Sequence, residues 1–338
     1  MNVSNSYKYI FVILSSYCIF LVAKTITESK RVYLNILKIF IYAGLIQTIY
    51  AFYILIYDPS FEFFQKVDYL DSLTGFFINR NNFSFFLNII LICSLVYLKL
   101  YEKVFKINIH TNIFKYFFNN IFFTRLLIFL ISLGIIFTKS RAGNITFSIS
   151  IISFLILEII KEKKLTFFSF ILISILVIEI ITITMFFDFS QIFKRFIFTT
   201  LDGEEPRISV FIFAITQIKN FIFFGYGLGS FESIFRLEYT NYIKFYNHVH
   251  NDFLEFIGEM GLIGFTLFVI MLFFAFKSIL QNQKIYEIKL LCILLTISMV
   301  THGIFDFSLH NPSIIFLLTF LISLGSCNFK YYTTKRQI

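Results

Sequence analysis

The sequence predicts an all-α, polytopic transmembrane helical bundle, and two observations indicate this fold class. Of the 338 residues, 58% are hydrophobic and only 14% are charged, whereas soluble globular chains carry about 25% charged residues. Apolar runs of about 20 residues recur, and this length crosses a bilayer as an α-helix. The composition therefore excludes a soluble domain and a disordered chain, and the long runs do not match the short strands of a membrane β-barrel.

About nine stretches are long and apolar enough to be predicted as membrane spans. The first lacks the cleavage pattern of a signal peptide, so we expect it to be retained as a span. One connection, after the sixth span, is far longer than the others. The predicted spans are 8–24, 33–56, 83–101, 119–138, 144–160, 165–187, 261–280, 287–305 and 312–328.

The charges of the connections predict how the chain is oriented. Every second connection, beginning with the one after the first span, is rich in lysine and arginine, and such connections face the cytoplasm. This places the N-terminus outside and the C-terminus inside. The predicted organisation is transmembrane helices one to six over 1–187, a large periplasmic loop with short helices over 188–260, and helices seven to nine with a cytoplasmic tail over 261–338.

Net charge and cysteine content have structural explanations in a membrane protein. The net charge of +9 would suggest a nucleic-acid partner in a soluble protein, but basic cytoplasmic loops explain it here. We therefore expect membrane lipid and no nucleic acid as a partner. The four cysteines lie in or at the end of apolar runs and show no disulfide or metal spacing. They are Cys18, Cys93, Cys292 and Cys327.

Histidines and arginines gather on the predicted outer side of the membrane. Histidine titrates near neutral pH and accepts a proton, and arginine stays charged and binds phosphate through two parallel hydrogen bonds. Together they indicate anion binding combined with proton transfer. The main members of this group are His248, His250, His302, His310, Arg80, Arg141 and Arg207.

The candidate catalytic segment surrounds His248 and His250, just before the seventh span. Asp252 and Glu255 have the spacing of a capping box, which predicts a helix start at this point and an N-terminus that favours anions. A helix that begins nearer residue 247 is the alternative, and ordinary interfacial histidines beside a helix cap are another. The His-x-His spacing suits zinc, but a third ligand at a recognised spacing is missing, so we expect no metal.

Three further segments carry candidate binding residues. Ser140 and Arg141 lie in a basic outer turn that breaks the charge rule, for which snorkelling side chains are the alternative explanation. Arg80 lies among asparagines that suit helix capping, and Arg207 begins a short apolar stretch that suits an interfacial helix. The glycine-rich run 225–229 lacks the strand and helix context of a nucleotide site and is predicted to be a turn.

His302 and Asp306 lie one helical turn apart at the end of the eighth span. An acidic residue in a membrane span marks either function or a buried partner, and a structural hydrogen bond is the alternative here.

In their order along the chain, these motifs resemble the O-antigen ligase and polymerase superfamily of bacterial inner-membrane proteins, over roughly residues 75–312. The most specific element is His250-Asn251 followed by Glu259-x-Gly261-x-x-Gly264. The other matching elements are Asn79-Arg80-Asn81, Ser140-Arg141-Ala142-Gly143, Arg207 before Gly225-Tyr226-Gly227, and His302 with Asp306.

The resemblance implies a GT-C-like glycosyltransferase with no metal or other cofactor. It implies an undecaprenyl-diphosphate-linked glycan as donor, the lipid A core as acceptor, and an active site at the periplasmic face of the inner membrane. Carried over, His250 is the catalytic base, with His248 as an additional candidate, and Arg141 and Arg207 hold the diphosphate. The remaining candidates are Arg80 and Asn251 for substrate binding, and Ser140, Asp252, Glu259, His302 and Asp306 as supporting residues.

Other functions stay open on the sequence alone. An O-antigen or capsular polysaccharide polymerase would use the same donor, and no residue separates the two acceptors. A transporter usually places ionisable residues near the midplane and pairs broken helices in repeats, whereas here the ionisable residues gather at one face. A purely structural membrane protein leaves the outer arginines unexplained. Because the overall pattern resembles the ligase members, a ligase of lipopolysaccharide biosynthesis is the leading hypothesis and the polymerase is the runner-up.

Overall fold

The computed structural model describes residues 3–26, 29–57, 71–105, 120–163, 167–186, 206–239 and 245–327. Within these ranges the chain is helical and contains no strand. Its helices are α1 (Val3–Ile26), α2 (Lys30–Tyr57), α3 (Arg80–Phe105), α4 (Asn120–Phe137), α5 (Arg141–Glu162), α6 (Phe167–Phe186), α7 (Pro206–Asn220), α8 (Phe231–Glu238), α9 (Asp252–Asn282), α10 (Tyr286–Phe305) and α11 (Pro312–Ser323). Short 3-10 turns follow α10 and α11, at Ser308–His310 and Leu324–Ser326.

Six of the described helices are long and apolar enough to cross a membrane, namely α1, α2, α3, α5, α9 and α10. Shorter apolar helices, α4, α6 and α11, fall within the predicted spans 119–138, 165–187 and 312–328. The prediction of an all-helical membrane protein is therefore confirmed. The count of nine spans, their orientation and the periplasmic loop stay predictions.

Helix α3 is the centre of the bundle. Its span is 89% buried, and it packs against α2, α4, α5 and α10. By contrast, only 6% of the span is buried in α1 and in α9. Their exposed side chains are apolar, and such a surface requires contact with lipid. The polar side chains of a helix that is surrounded by other helices need hydrogen-bond partners within the protein. The side-chain amide of Asn88 donates to Ser84 O at 2.9 Å and to Gly143 O of α5 at 3.1 Å.

Ion pairs to two buried carboxylates connect α3, α5 and α10 at the end of the bundle opposite the candidate site. Lys99 of α3 pairs with Glu158 of α5. Lys103 of α3 and Lys161 of α5 both reach Glu287 of α10, at 3.0 Å and 3.4 Å. Because one carboxylate serves two helices, these charges fix the three helices relative to one another.

Helix α9 is broken at Gly261, whose φ of 67° lies in the left-handed region. The glycine-rich run, which is irregular as predicted, pairs with the broken turn. Tyr226 N donates to Gly258 O and Gly227 N donates to Glu259 O, both at 3.0 Å. These bonds satisfy carbonyls that the break leaves without partners inside the helix. The run therefore acts as a backbone support for the first part of α9.

The close contact between α3 and α5 depends on Gly143. A Cβ at this position would overlap the Ser84 side chain of α3. We expect Gly143→Ala to destabilise the protein by about 1–3 kcal/mol, because the added methyl group overpacks a tight interface. Thermal denaturation of the detergent-purified protein measures this effect.

Gly264→Ala is the matched control, since its added methyl group meets only Met260 Cβ of the same helix, at 3.1 Å. An equal loss of stability in both variants would contradict the role given to the α3–α5 contact.

Candidate functional site

The candidate site begins where the chain enters α9. Asn251 is the N-cap: its side chain accepts from Leu254 N at 2.9 Å and donates to Ile304 O at 3.0 Å. Asp252 N donates to Asp306 O at 3.1 Å. The predicted helix start at this point is confirmed, but the capping residue is Asn251 rather than Asp252, and the alternative of a helix that begins near residue 247 is wrong. The cap instead ties the start of α9 to the end of α10.

His250 and Asp306 form the first histidine–carboxylate pair. His250 Nδ1 donates to Asp306 Oδ1 at 3.0 Å, and the Asp306 side chain is fully buried. Burial alone would raise the pKa of Asp306, but the hydrogen bond from His250, with the charges of His302 and His250, outweighs burial and lowers it. The ionised carboxylate fixes the tautomer of His250 and leaves Nε2 as the nitrogen for a substrate.

His250 also has a left-handed backbone, with a φ of 60°. This conformation is costly for a residue other than glycine, and it is maintained only where the surrounding structure imposes it. Here the Asn251 cap on one side and the Asp306 hydrogen bond on the other impose it. The position of the imidazole is therefore set by the fold rather than by local preference.

A second cluster lies beside this pair and centres on His310. His310 Nδ1 donates to Asp252 Oδ1 at 2.6 Å, and its Nε2 lies 3.3 Å from Glu255 Oε1. His248 Nδ1 donates to the same Glu255 oxygen at 2.8 Å. Burial lowers the pKa of His310, but the Glu255 carboxylate and the hydrogen bond to Asp252 outweigh burial and raise the pKa to about 9.

The supporting residues bring several elements together at this end of the bundle. Ser140 caps α5 and donates to Asn81 Oδ1 at 2.7 Å, while Ser308 donates to Asn82 Oδ1, also at 2.7 Å. Two consecutive asparagines at the start of α3 thus join α5 on one side and the 308–310 turn on the other. The candidate site is fixed to the central helix in this way.

His302 and Glu259 are buried behind the two clusters rather than within them. The His302 ring stacks on Phe85 at 4.3 Å, and its Nδ1 lies 3.3 Å from Thr146 Oγ1. Glu259 Oε1 accepts from Phe231 N, at the start of α8, at 3.3 Å. Both residues connect the site to neighbouring helices, which suits the supporting roles expected for them.

The predicted arginines occupy helix starts. Arg80 begins α3 and Arg141 begins α5; Arg80 is half-buried and Arg141 is exposed. Neither is among the described residues that line the cavity beside the histidines. Arg207 is the second residue of α7, and its side chain lies outside the described residues. The convergence of these guanidinium groups on one site stays a prediction.

The basic turn that is predicted to face outside has a specific partner that the sequence did not reveal. Lys139 Nζ lies 2.9 Å from Asp71 Oδ2. The hydrogen bond from Lys139 lowers the pKa of Asp71. Part of the charge that breaks the orientation rule is thus neutralised across the surface of the protein.

A cavity of about 950 Å³ opens beside His248 and His250. Its lining is amphipathic, which is the usual character of a ligand site. Apolar lining residues come from α2, α3 and α11 and also from the connecting segments, and the polar ones come mainly from the connecting segments. The apolar group includes Phe40, Ala43, Phe86 and Leu317, and the polar group includes Asn79, Asn82, Asn247, His248, His250 and Asn311.

Sequence reasoning missed Glu255 and His310 as members of the site. The sequence indicates His310 only as an outer histidine, and it places Glu255 either in a helix cap or on one helix face with His248. The available signal was that Asp252 and Glu255 are three residues apart on one helix face. The fold also provides the third metal ligand that the His-x-His spacing lacks. His248, Glu255 and His310 each bring one ligand atom to within 4.8 Å of the others.

The fold and site define a multi-pass helical membrane protein with paired histidines and carboxylates beside an amphipathic cavity. Residues 126–269 match the family model described as O-Antigen ligase, so this region of the chain is similar to the O-antigen ligase superfamily. The match runs from α4 into α9 and includes Arg141 and His250, so the resemblance predicted from the sequence is confirmed. This family indicates an enzyme of glycan transfer, of the ligase or polymerase type. No curated protein sequence matches the chain.

The raised pKa of His310 predicts how stability depends on pH. Its protonated form is stabilised by Asp252, Glu255 and, at longer range, Glu259. This contribution is complete below about 6.5, the pKa of an unperturbed histidine, and it is lost as the pH rises through about 9. We expect the melting temperature of the purified protein to fall across this alkaline range.

His310→Gln serves as the comparison, since its amide keeps hydrogen-bonding groups but does not titrate. Its melting temperature should be lower at neutral pH and should change less with pH. Identical pH slopes for the two proteins would contradict the charged state assigned to His310.

Proposed function

We propose that this protein transfers a glycan from undecaprenyl diphosphate to an acceptor hydroxyl at the periplasmic face of the bacterial inner membrane. The lipid A core is the proposed acceptor, so the protein acts as an O-antigen ligase. The observation that carries this proposal is the His250–Asp306 pair at the wall of an amphipathic cavity. The match of residues 126–269 to the O-Antigen ligase family model supports the reaction type.

In this mechanism His250 is the general base. Its Nε2 takes the proton of the acceptor hydroxyl as the acceptor oxygen forms a bond to the anomeric carbon. The bond from that carbon to the diphosphate oxygen breaks, and undecaprenyl diphosphate leaves with the electron pair. A single displacement inverts the anomeric centre. Asp306 positions the imidazole and stabilises its protonated form, as a buried carboxylate does for other histidine bases.

Charge develops on the diphosphate as it leaves, and positioned cations stabilise it. We propose Arg141, Arg207 and Arg80 for this role, with Asn251 near the donor. The apolar lining contributed by Phe40, Phe86 and Leu317 suits the first part of the lipid chain. The amide-bearing residues of the same cavity suit sugar hydroxyls, because amides both donate and accept hydrogen bonds.

A capsular or O-antigen polymerase uses the same donor chemistry, and the product of the assay distinguishes the two. Purified protein is mixed with the lipid-linked glycan and either lipid A core or a second glycan. Transfer of the glycan to the lipid A core supports the ligase, and elongation of the glycan alone supports the polymerase. Transport of the donor across proteoliposomes without any transfer would contradict both.

His250→Ala should reduce transfer by about 10²–10⁴-fold, which is the usual contribution of a general base. Asp306→Asn should reduce kcat with little change in KM, since it disturbs the orientation of the base rather than substrate binding. Initial rates with purified protein measure both effects.

Asn282→Ala, at the far end of α9, is the control for purification and insertion, because Asn282 bonds only to Ser278 of its own helix among the described residues. Full transfer by His250→Ala would show that the base has been assigned to the wrong residue.

Arg141→Lys tests the diphosphate contact. Lysine keeps the positive charge but lacks the planar fork that binds two phosphate oxygens at once. We expect reduced transfer with normal membrane insertion, measured as rate and as yield in the membrane fraction. Unchanged kinetics would mean that Arg141 is only a membrane anchor.

A further inference from the structure

The cluster of His248, Glu255 and His310 has a ligand geometry that glycan transfer does not require. Two imidazole nitrogens and one carboxylate oxygen lie within 4.8 Å of one another. Glu255 Oε1 is at the centre, 2.8 Å from His248 Nδ1 and 3.3 Å from His310 Nε2. Two nitrogens and one oxygen are a common protein ligand set for zinc, which leaves a fourth position open.

The groups behind these ligand atoms already have the arrangement of a metal site. Asp252 Oδ1 accepts from His310 Nδ1 at 2.6 Å, and Glu255 Oε2 accepts from Val249 N at 2.8 Å. A metal-binding histidine usually donates its other ring nitrogen to a carboxylate in this way, which fixes the ring and its tautomer. The Nε2 atom of His310 is thereby directed at Glu255.

That atom is also the independent sign of a missing ligand. The His310 side chain is 1% exposed, and its Nε2 forms no hydrogen bond of acceptable geometry with the described part of the chain. This nitrogen lies 3.3 Å from Glu255 Oε1, and a buried polar nitrogen that makes no hydrogen bond is costly. In addition, the side chains of Asp252 and Glu255 are almost completely buried, at 0% and 1% exposure, so the pocket favours a cation.

We propose that His248, Glu255 and His310 bind a divalent transition-metal ion of the Zn²⁺ type. On binding, His310 keeps the proton on Nδ1 and gives up the one on Nε2, so a protonated His310 releases one proton for each ion bound. His248 coordinates through Nδ1 with its proton on Nε2. Mg²⁺ and Ca²⁺ prefer sites made of oxygen ligands and are expected to bind poorly.

The proposed site is reached from the cavity, because His248 is 27% exposed and lines it. His248 is also only two residues from His250. An ion at this position occupies space beside the proposed base and adds positive charge where a proton must be accepted. The site therefore predicts inhibition of transfer by Zn²⁺, rather than a requirement for it.

Cobalt absorption tests the site without any transfer assay. The full-length protein is purified in detergent with a chelator, freed of the chelator and titrated with Co²⁺, which absorbs visible light when bound in a tetrahedral site. We expect one bound Co²⁺ per chain, displaced by Zn²⁺ but not by Mg²⁺. Asp252→Asn should weaken binding by about 10–100-fold, the usual effect of losing the carboxylate behind a metal-binding histidine.

His310→Gln and His248→Asn should each abolish the absorption band, while His302→Gln, a buried histidine outside the cluster, should retain it. Each variant is first checked for wild-type elution in gel filtration, and His248→Asn, at the exposed edge, is the one least able to disturb folding. Absence of the band in the wild-type protein, or its persistence in both cluster variants, overturns the proposal. Loss of Co²⁺ binding leaves the outcome of the His250 transfer assay unaffected, so the two proposals fail separately.

Discussion

Among the described residues, four carboxylates are buried at one end of the helical bundle, namely Asp252, Glu255, Glu259 and Asp306, where an isolated charge is very costly. Histidines pair with three of them. The pairs are Asp306 with His250, Asp252 with His310, and Glu255 with both His248 and His310. This constraint brings the start of α9, the end of α10 and the turn after it to one place. The position of the proposed base follows from it.

The central helix makes this arrangement possible. Helix α3 is buried along nearly its whole length, and its polar residues form the joints to its neighbours. Asn88 holds α5 through Gly143 O, and Asn81 and Asn82 hold the Ser140 cap and the Ser308 turn. At the other end, Glu287 joins α10 to lysines of α3 and α5. The site therefore lies on a rigid support, as precise positioning of a base requires.

The break in α9 separates the lipid-facing part of this helix from the part that carries the candidate site. After Gly261 the helix exposes apolar side chains, whereas before Gly261 the side chains of Asp252, Glu255 and Glu259 are buried. In a straight helix, the exposed apolar side chains and the buried carboxylates would have to share one continuous helical periodicity. The glycine at the break and the support from Tyr226 and Gly227 let the two parts face different surroundings.

The sequence alone determined the helical membrane class, and it predicted the resemblance to the O-antigen ligase superfamily that the family match supports. It did so because span length, apolar composition and motif order are local properties of the chain. Only the tertiary structure decided the partners: His250 meets Asp306 across 56 residues, and His310 meets Asp252 across 58. Such pairs depend on how α3, α5 and α10 pack, and this packing cannot be predicted from the periodicity or spacing of residues in the sequence. For the same reason Glu255 and His310 became part of the site only in the folded chain.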